Sequence, residues 1–268
     1  MKPPETHKIA LVTGASSGIG YQIARRLAAL HYDVILVSNQ ETRLHQTAEE
    51  LAAGFGVRTW AHFMDLCRAD AAEQLYQWCA DNHLQVDILV NNAGIFFFGE
   101  VVKTDIEKTR NIISLHVSTP AQLCTLFGRD MKQRRSGHIL IISSLSAWMP
   151  YPGISLYSAT KLFLKSFARS LRSEMHPYHV NVTCICPGAV STDLYALSPE
   201  NHRTALRFGI MMRAETLARR SLRAMFRKRA LYVPGFLNKV FLPLLLIVPP
   251  GLVIWFRRNS RFLPVDEE

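Results

Sequence analysis

Ile9-Ala-Leu-Val-Thr-Gly-Ala-Ser-Ser-Gly-Ile-Gly20 is a short β-rich apolar run that breaks directly into a glycine-rich turn. Behind it, Tyr21 to Leu30 places Ile23, Ala24, Leu27 and Ala28 at helical spacing. Strand, glycine turn and helix, in that order, make the setting in which a dinucleotide pyrophosphate is held. Gly14 permits the tight turn, Gly18 lets the backbone approach a pyrophosphate, and Gly20 lets helix and strand pack closely. The helix N-terminus then offers unpaired N–H groups and the positive end of its dipole to phosphate. The spacing is G-x-x-x-G-x-G rather than the usual G-x-G-x-x-G, and the lysine of an NTP-binding loop is absent.

Outward from this unit, apolar strands and helical stretches alternate. Strands are expected at Asp33–Ser38, Val57–Phe63, Val86–Val90, His138–Ile142 and Val180–Ile185. Helices are expected at Glu41–Ala53, Ala69–Asn82, Tyr157–Met175 and over a long stretch from Asp105 to Arg134, bent near Pro120. Such alternation predicts an α/β fold, a doubly wound parallel sheet with helices on both faces. Ligands of these sheets bind beyond the carboxyl ends of the strands. The polar motifs Asn91-Asn-Ala-Gly94, Ser143-Ser144 and Cys186-Pro187-Gly188 all fall at that edge.

The 268 residues, 49% hydrophobic, suffice for one sizeable core. We expect one dinucleotide-binding domain over 1–235 and an apolar, basic-flanked extension over 236–268. The five cysteines, Cys67, Cys79, Cys124, Cys184 and Cys186, are scattered and form no metal-ligand cluster with histidine. They read as small buried side chains in a reducing, cytoplasmic setting, and no metal is expected. The N-terminus is short and polar, unlike a signal peptide. Net charge is +10 with the excess after residue 200, which suits an anionic membrane surface, acidic substrates or nucleic acid. Nothing in the sequence resembles a nucleic-acid module, so no nucleic-acid partner is expected.

Tyr157-Ser-Ala-Thr-Lys161 opens the last long helix. Residues four apart share a helix face, so phenol and ammonium point the same way. A nearby cation favours the ionised phenol, which suits general acid/base work. The plain alternative is a solvated helix face. Ser144 stands upstream at a strand end, where its hydroxyl could hold a substrate oxygen.

Taken together, Thr13-Gly-x-x-x-Gly-x-Gly20, Asn91-Asn-Ala-Gly94, Ser144, Tyr157-x-x-x-Lys161 and Pro187-Gly188 resemble the short-chain dehydrogenase/reductase family in order and spacing, over roughly residues 8 to 195. The resemblance implies a Rossmann-type fold, a nicotinamide cofactor and hydride transfer between a carbonyl and an alcohol. It implies that Tyr157 is the general acid/base, that Lys161 holds the nicotinamide ribose and depresses the Tyr157 pKa, and that Ser144 binds the reacting oxygen. It assigns the cofactor to Gly14, Ser16, Ser17, Gly18, Ile19 and Gly20, to Ser38 and Asn39, to Asp65 and Leu66 beside the adenine, to Asn92, Ala93 and Gly94, and to Tyr157 and Lys161. Pro187, Gly188, Val190 and Thr192 would meet the nicotinamide end. Asp65 also reads as a helix start, and the Asn92 and Pro187 groups as strand-end turns. A homodimer or homotetramer through the two long helices is a further implication.

One position departs from the family. His116, in Leu115-His-Val-Ser-Thr-Pro120, takes the register of an asparagine thought to order a proton-relay water. A neutral histidine both donates and accepts, so it would hold that water or else bond backbone as a core residue. Cofactor choice turns on the end of the second strand, where an acid would select NAD and repel the extra phosphate of NADP. Ser38 and Asn39 stand there, with Arg43 a turn later, which favours NADP(H) over NAD(H).

The substrate loop is expected between Thr192 and about Met212, with Leu194, Tyr195, Leu197, Phe208, Ile210, Met211 and Met212, facing Trp148, Met149, Pro150 and Tyr151. This wall suits an apolar carbonyl substrate, lipid- or steroid-like. Val240 to Phe256 is apolar but interrupted by Pro243, Pro249, Pro250 and Gly251, and is shorter than the ~20 residues of a spanning helix. Peripheral membrane contact through 236–262 and packing against the pocket or a second subunit are the alternatives. As to function, a carbonyl reductase stands against a cofactor-binding sensor or scaffold, and against a methyltransferase, which would not need the tyrosine–lysine pair.

Overall fold

A computed structural model describes residues 8–149, 151–192 and 211–235, together with Asn238, Leu242 and Gly251. The expectations placed on Pro150, on 193–210 and on most of 236–268 lie outside these residues.

β1 (Ile9–Thr13), β2 (Asp33–Ser38), β3 (Thr59–Phe63), β4 (Val86–Asn91), β5 (Gly137–Ile142), β6 (Val180–Ile185) and β9 (Leu231–Tyr232) form one parallel sheet in the order β3-β2-β1-β4-β5-β6-β9. The order reverses direction between β1 and β4, which opens a crevice at the carboxyl ends of those strands. A strand pair unforeseen from sequence, β7 (Val190–Ser191) with β8 (Met212–Arg213), closes one side of it. Two residues per strand are too few to show a period.

Residues alternate between the faces of each strand, and both faces are buried. Leu11, Ile35, Leu89 and Ile139 pack under α3 (Ala71–Asp81), α5 (Thr119–Gln133) and α6 (Ser155–Met175). Val12, Leu36, Val90 and Leu140 pack under α1 (Gly18–Ala28), α2 (Glu41–Phe55) and α7 (Ala214–Phe226). Of the cysteines, Cys79, Cys124, Cys184 and Cys186 are buried and all five are free thiols.

Several boundaries differ from the sequence reading, among them the starts of α6 at Ser155 rather than Tyr157 and of α3 at Ala71 rather than Ala69. β3 begins at Thr59 rather than Val57. α2 runs through Gly54 and ends at Gly56, whose φ of 67° is the left-handed conformation that terminates helices. The long helix is not one bent helix but α4 (Ile106–Ile113), a π-helical turn over Ser114–Ser118, and α5. Pro120 follows the π-helical turn with no break in helical backbone, and its ring and missing N–H fall on the carbonyl of His116, four residues back. The irregularity therefore precedes the proline and is centred on His116. Among the described residues no helix is long and apolar enough to cross a membrane.

Candidate active site

A cavity of about 420 Å³ opens beyond the carboxyl ends of the strands. Its first wall is the turn after β1. Gly14 (φ 67°) and Gly18 (φ 57°) both take left-handed backbone, and a Cβ on Gly14 would come within 2.9 Å of the Ala93 backbone. Gly20 lies beneath the cleft rather than in it. A Cβ there would fall 2.1 Å from the Gly14 carbonyl oxygen, so only glycine lets α1 start this close to the turn. Ser17 caps α1 without a side-chain bond to it, and the first turn holds no acid. Unpaired N–H groups and an unopposed dipole are what a phosphate needs.

The floor is braced from β4. Thr13 Oγ1 accepts from the backbone N–H of Asn92 and of Ala93, each at 3.0 Å. The Asn92 amide donates to the Thr13 carbonyl at 2.9 Å. Asn92 thus ties the two strand ends together while its backbone lines the cleft. At the far end Ser16 and Ser38 share a hydroxyl bond of 2.9 Å, and Ser16 also donates to Gln40 Oε1 at 3.3 Å. Asp65 lines the cleft and accepts from Cys67 N–H at 2.9 Å; it opens a turn and not the helix that was its other reading, since α3 starts at Ala71 with Asp70 as its N-cap.

The opposite wall carries Ser144, Tyr157 and Lys161. Tyr157 is 7% exposed and Lys161 4%, which rules out the solvated-face reading of the pair. The Lys161 Nζ stands 5.5 Å from the centre of the Tyr157 ring and donates to the Ile142 carbonyl at 3.3 Å. With no acid beside it, burial pushes the Lys161 pKa down from 10.5 to about 8. The two adjacent serines part company. Ser143 is buried and donates to the Lys161 carbonyl at 2.7 Å, fixing the helix to β5. Ser144 faces the cleft, and its Oγ accepts from Ser146 N–H at 3.1 Å.

His116 is fully buried beneath this wall. Its Nε2 accepts from Ile95 N–H at 3.0 Å, since a backbone N–H can only donate. The ring proton is then on Nδ1, facing Thr160 Oγ1 at 3.0 Å, and Thr160 in turn donates to the Tyr157 carbonyl at 2.8 Å. Burial and the nearby Lys161 hold the His116 pKa well below its ordinary value, so the ring is neutral. Both ring nitrogens are committed to protein. Of the two sequence readings, the core histidine holds and the water-relaying one does not.

Gly14, Ser16, Ser17, Gly18, Ile19, Ser38, Asn39, Asp65, Leu66, Asn92, Ala93, Gly94, Pro187, Gly188, Val190 and Thr192 all line the same cavity. The sequence reading missed Gln40, Met64, Cys67, Ile95, Phe96, Leu115 and Ile142. Phe96 stands edge-on to Tyr157 with ring centres 5.0 Å apart. The run Ile95-Phe-Phe-Phe98 directly after the strand-end motif was a usable signal, because large apolar residues rarely crowd a loop without a surface to cover.

Comparison with known proteins places this geometry. The family model described as short chain dehydrogenase matches residues 8–203. The human protein named Dehydrogenase/reductase SDR family member 4 is 31% identical over 192 residues, 71% of this chain and 69% of that one. A solved short-chain dehydrogenase from Sphingobium yanoikuyae in complex with NADPH is 26% identical, with a TM-score of 0.77 over 91% of this chain and 97% of that one. L-Sorbose reductase from Gluconobacter frateurii, complexed with NADPH and L-sorbose, is 26% identical with a TM-score of 0.76, covering 85% and 95%. With glycine turn, braced floor and buried tyrosine–lysine pair in the family's order, and the family model matching most of its length, the chain belongs to the short-chain dehydrogenase/reductase family.

Proposed function

We propose that this chain is an NADP(H)-dependent oxidoreductase that interconverts a carbonyl and a secondary alcohol on an apolar substrate. The observation that carries the reading is the burial of Tyr157 and Lys161 on one cavity wall with Ser144. A nicotinamide cofactor fits the residues present: left-handed glycines, an uncapped helix N-terminus and a floor whose Gly94 leaves the His116 brace in place, since a Cβ there would sit 2.8 Å from His116 Nε2. When bound, the nicotinamide supplies or takes the hydride. The chain's own residues do the rest. The Ser144 hydroxyl bonds the reacting oxygen, and Tyr157 passes its phenolic proton to that oxygen in reduction or takes it back in oxidation. Lys161 holds the ribose, and an ammonium beside a phenol favours proton release. Phe96 and its neighbours exclude water from the reacting face.

The NADP(H) preference rests on Ser38, Asn39 and Gln40 at the end of β2, where no carboxylate stands to repel a 2′-phosphate. NADPH in two of the similar structures supports it. The apolar substrate rests on Phe96 beside Tyr157 and on Phe98 packed over Gly153, whose absent side chain leaves that ring room. Homo-oligomers through α4–α5 and α6 remain the expectation from the family.

The test follows NADPH absorbance against a panel of aliphatic, sterol-like and polyol ketones, with NADH alongside and Tyr157→Phe as control. Turnover of apolar ketones with NADPH, abolished in Tyr157→Phe, is expected. A clear NADH preference overturns the cofactor assignment, and polyol turnover alone overturns the substrate class. Unchanged turnover in Tyr157→Phe, or bound NADPH with no turnover of any ketone, overturns the enzyme reading in favour of a cofactor sensor.

A further inference from the structure

The whole net charge of this protein sits in one stretch. Residues 216–265 contain ten lysines and arginines and no acid, so the remainder of the chain holds 21 cations against 21 acids and is neutral. The described part of that stretch is α7 and β9, at the outer edge of the sheet, where β9 pairs with β6 alone. α7 buries Leu217, Ala218, Leu222 and Met225 against α1 and the sheet. Its outer side carries Arg219, Arg223 and Arg227 four residues apart, with Arg220 on the row's flank. The one acid of α7, Glu215, is taken by Arg26 of α1 at 3.0 Å. Among the described residues these four arginines make no ion pair, whereas Arg68, Lys103 and Arg110 each face an acid nearby in sequence. Like charges spaced four apart weaken a helix. A row kept against that repulsion has the character of a binding surface for an anion.

The sequence that follows selects the anion. Val240 to Phe256 contains no charged residue, and Lys239, Arg257, Arg258 and Arg261 flank it. Nucleic acid would have no use for seventeen consecutive uncharged, mostly aliphatic positions. An interface of anionic headgroups over acyl chains uses both features. The chain also leaves β9 on the cavity side of the sheet: Asn238 donates to the Pro234 carbonyl at 2.7 Å, and a Cβ on Gly188 would lie 2.7 Å from the Asn238 amide.

We infer that the arginine row of α7 docks this protein onto an anionic lipid membrane. Docking does not depend on the reaction proposed above. Full-length protein is floated with vesicles of phosphatidylcholine, with and without phosphatidylglycerol, at rising salt. Binding only to the anionic vesicles, weakening with salt, is expected. Each arginine at the surface is worth roughly fivefold in affinity, so R219Q/R220Q/R223Q/R227Q loses roughly several-hundredfold. The same four sites changed to lysine keep the binding, which separates lost charge from lost folding. Equal binding to neutral vesicles, no binding to either kind, or a glutamine variant that floats like the parent would each overturn the inference. So would tighter binding to duplex DNA than to anionic vesicles at physiological salt.

Discussion

Replacing Lys161 by methionine should stabilise the cofactor-free protein while removing its activity. Lys161 is 4% exposed and has no carboxylate beside it. Burial lowers its pKa from 10.5 to about 8. Each unit corresponds to 1.36 kcal/mol, so carrying the ammonium at neutral pH costs the fold about 3 kcal/mol. Methionine keeps an unbranched apolar stem and gives up one bond, that from Nζ to the Ile142 carbonyl, worth about 1 kcal/mol. The net gain is about 2 kcal/mol. Its pH dependence identifies the cause. Between about pH 8 and 10.5 the unfolded chain still binds a proton that the folded chain has released. Wild-type stability therefore rises with pH across that window, and the variant's advantage disappears by its upper end. Urea unfolding of both proteins at about pH 7, 9 and 10.5 reads this directly, since the titrating groups that do not interact with Lys161 cancel in the difference. A methionine variant less stable than wild type at neutral pH, or an advantage that does not shrink with pH, would refute the reasoning.

Three more outcomes follow from the same geometry. His116→Phe strands the half-buried Ile95 N–H and should cost about 1 kcal/mol in urea unfolding, whereas His116→Asn, which still donates and accepts, should keep turnover; a folded but inactive asparagine variant would show that the ring does more than brace. The His116 pKa is depressed in the fold, so below about pH 6.5 the unfolded chain binds the extra proton and stability falls with acid; the fall should be shallower in His116→Asn, and an identical acid slope would contradict the neutral ring. Gly20→Ala should abolish NADPH binding by fluorescence or calorimetry, because its Cβ meets the Gly14 carbonyl at 2.1 Å, whereas Gly54→Ala, with nothing within 4 Å, should bind normally and be slightly stabilised within its helix.

What the sequence made legible was what repeats or is spaced. The alternation of buried strands with amphipathic helices set the sheet, and every motif tied to a strand end was found at the cavity except Gly20, which supports it from below. What escaped depends on distances no spacing encodes. Ser143 and Ser144 are equivalent as letters and both border the cavity, and only the 2.7 Å bond from Ser143 to the Lys161 carbonyl shows which hydroxyl is committed to the fold. The π-helical turn at Ser114–Ser118 has no periodic signature, although Pro120 marks its place, because a proline disturbs the helix one turn before itself.

His116 shows why such sites resist reading by motif. Its side chain looks like a titratable group beside a catalytic pair, yet its chemistry is spent on structure. It holds the loop after β4 through Ile95 and the first turn of α6 through Thr160, whose hydroxyl bonds the carbonyl of Tyr157. Protonation would turn the acceptor toward Ile95 into a second donor and place a positive ring near Lys161. Neutrality is thus a condition of the geometry, enforced by complete burial. The same burial that silences His116 lowers the Lys161 pKa, so it produces both a fixed brace and a cation held at a cost. An anionic partner, whether a phenolate on Tyr157 or an oxygen of the substrate, recovers part of that cost on arrival.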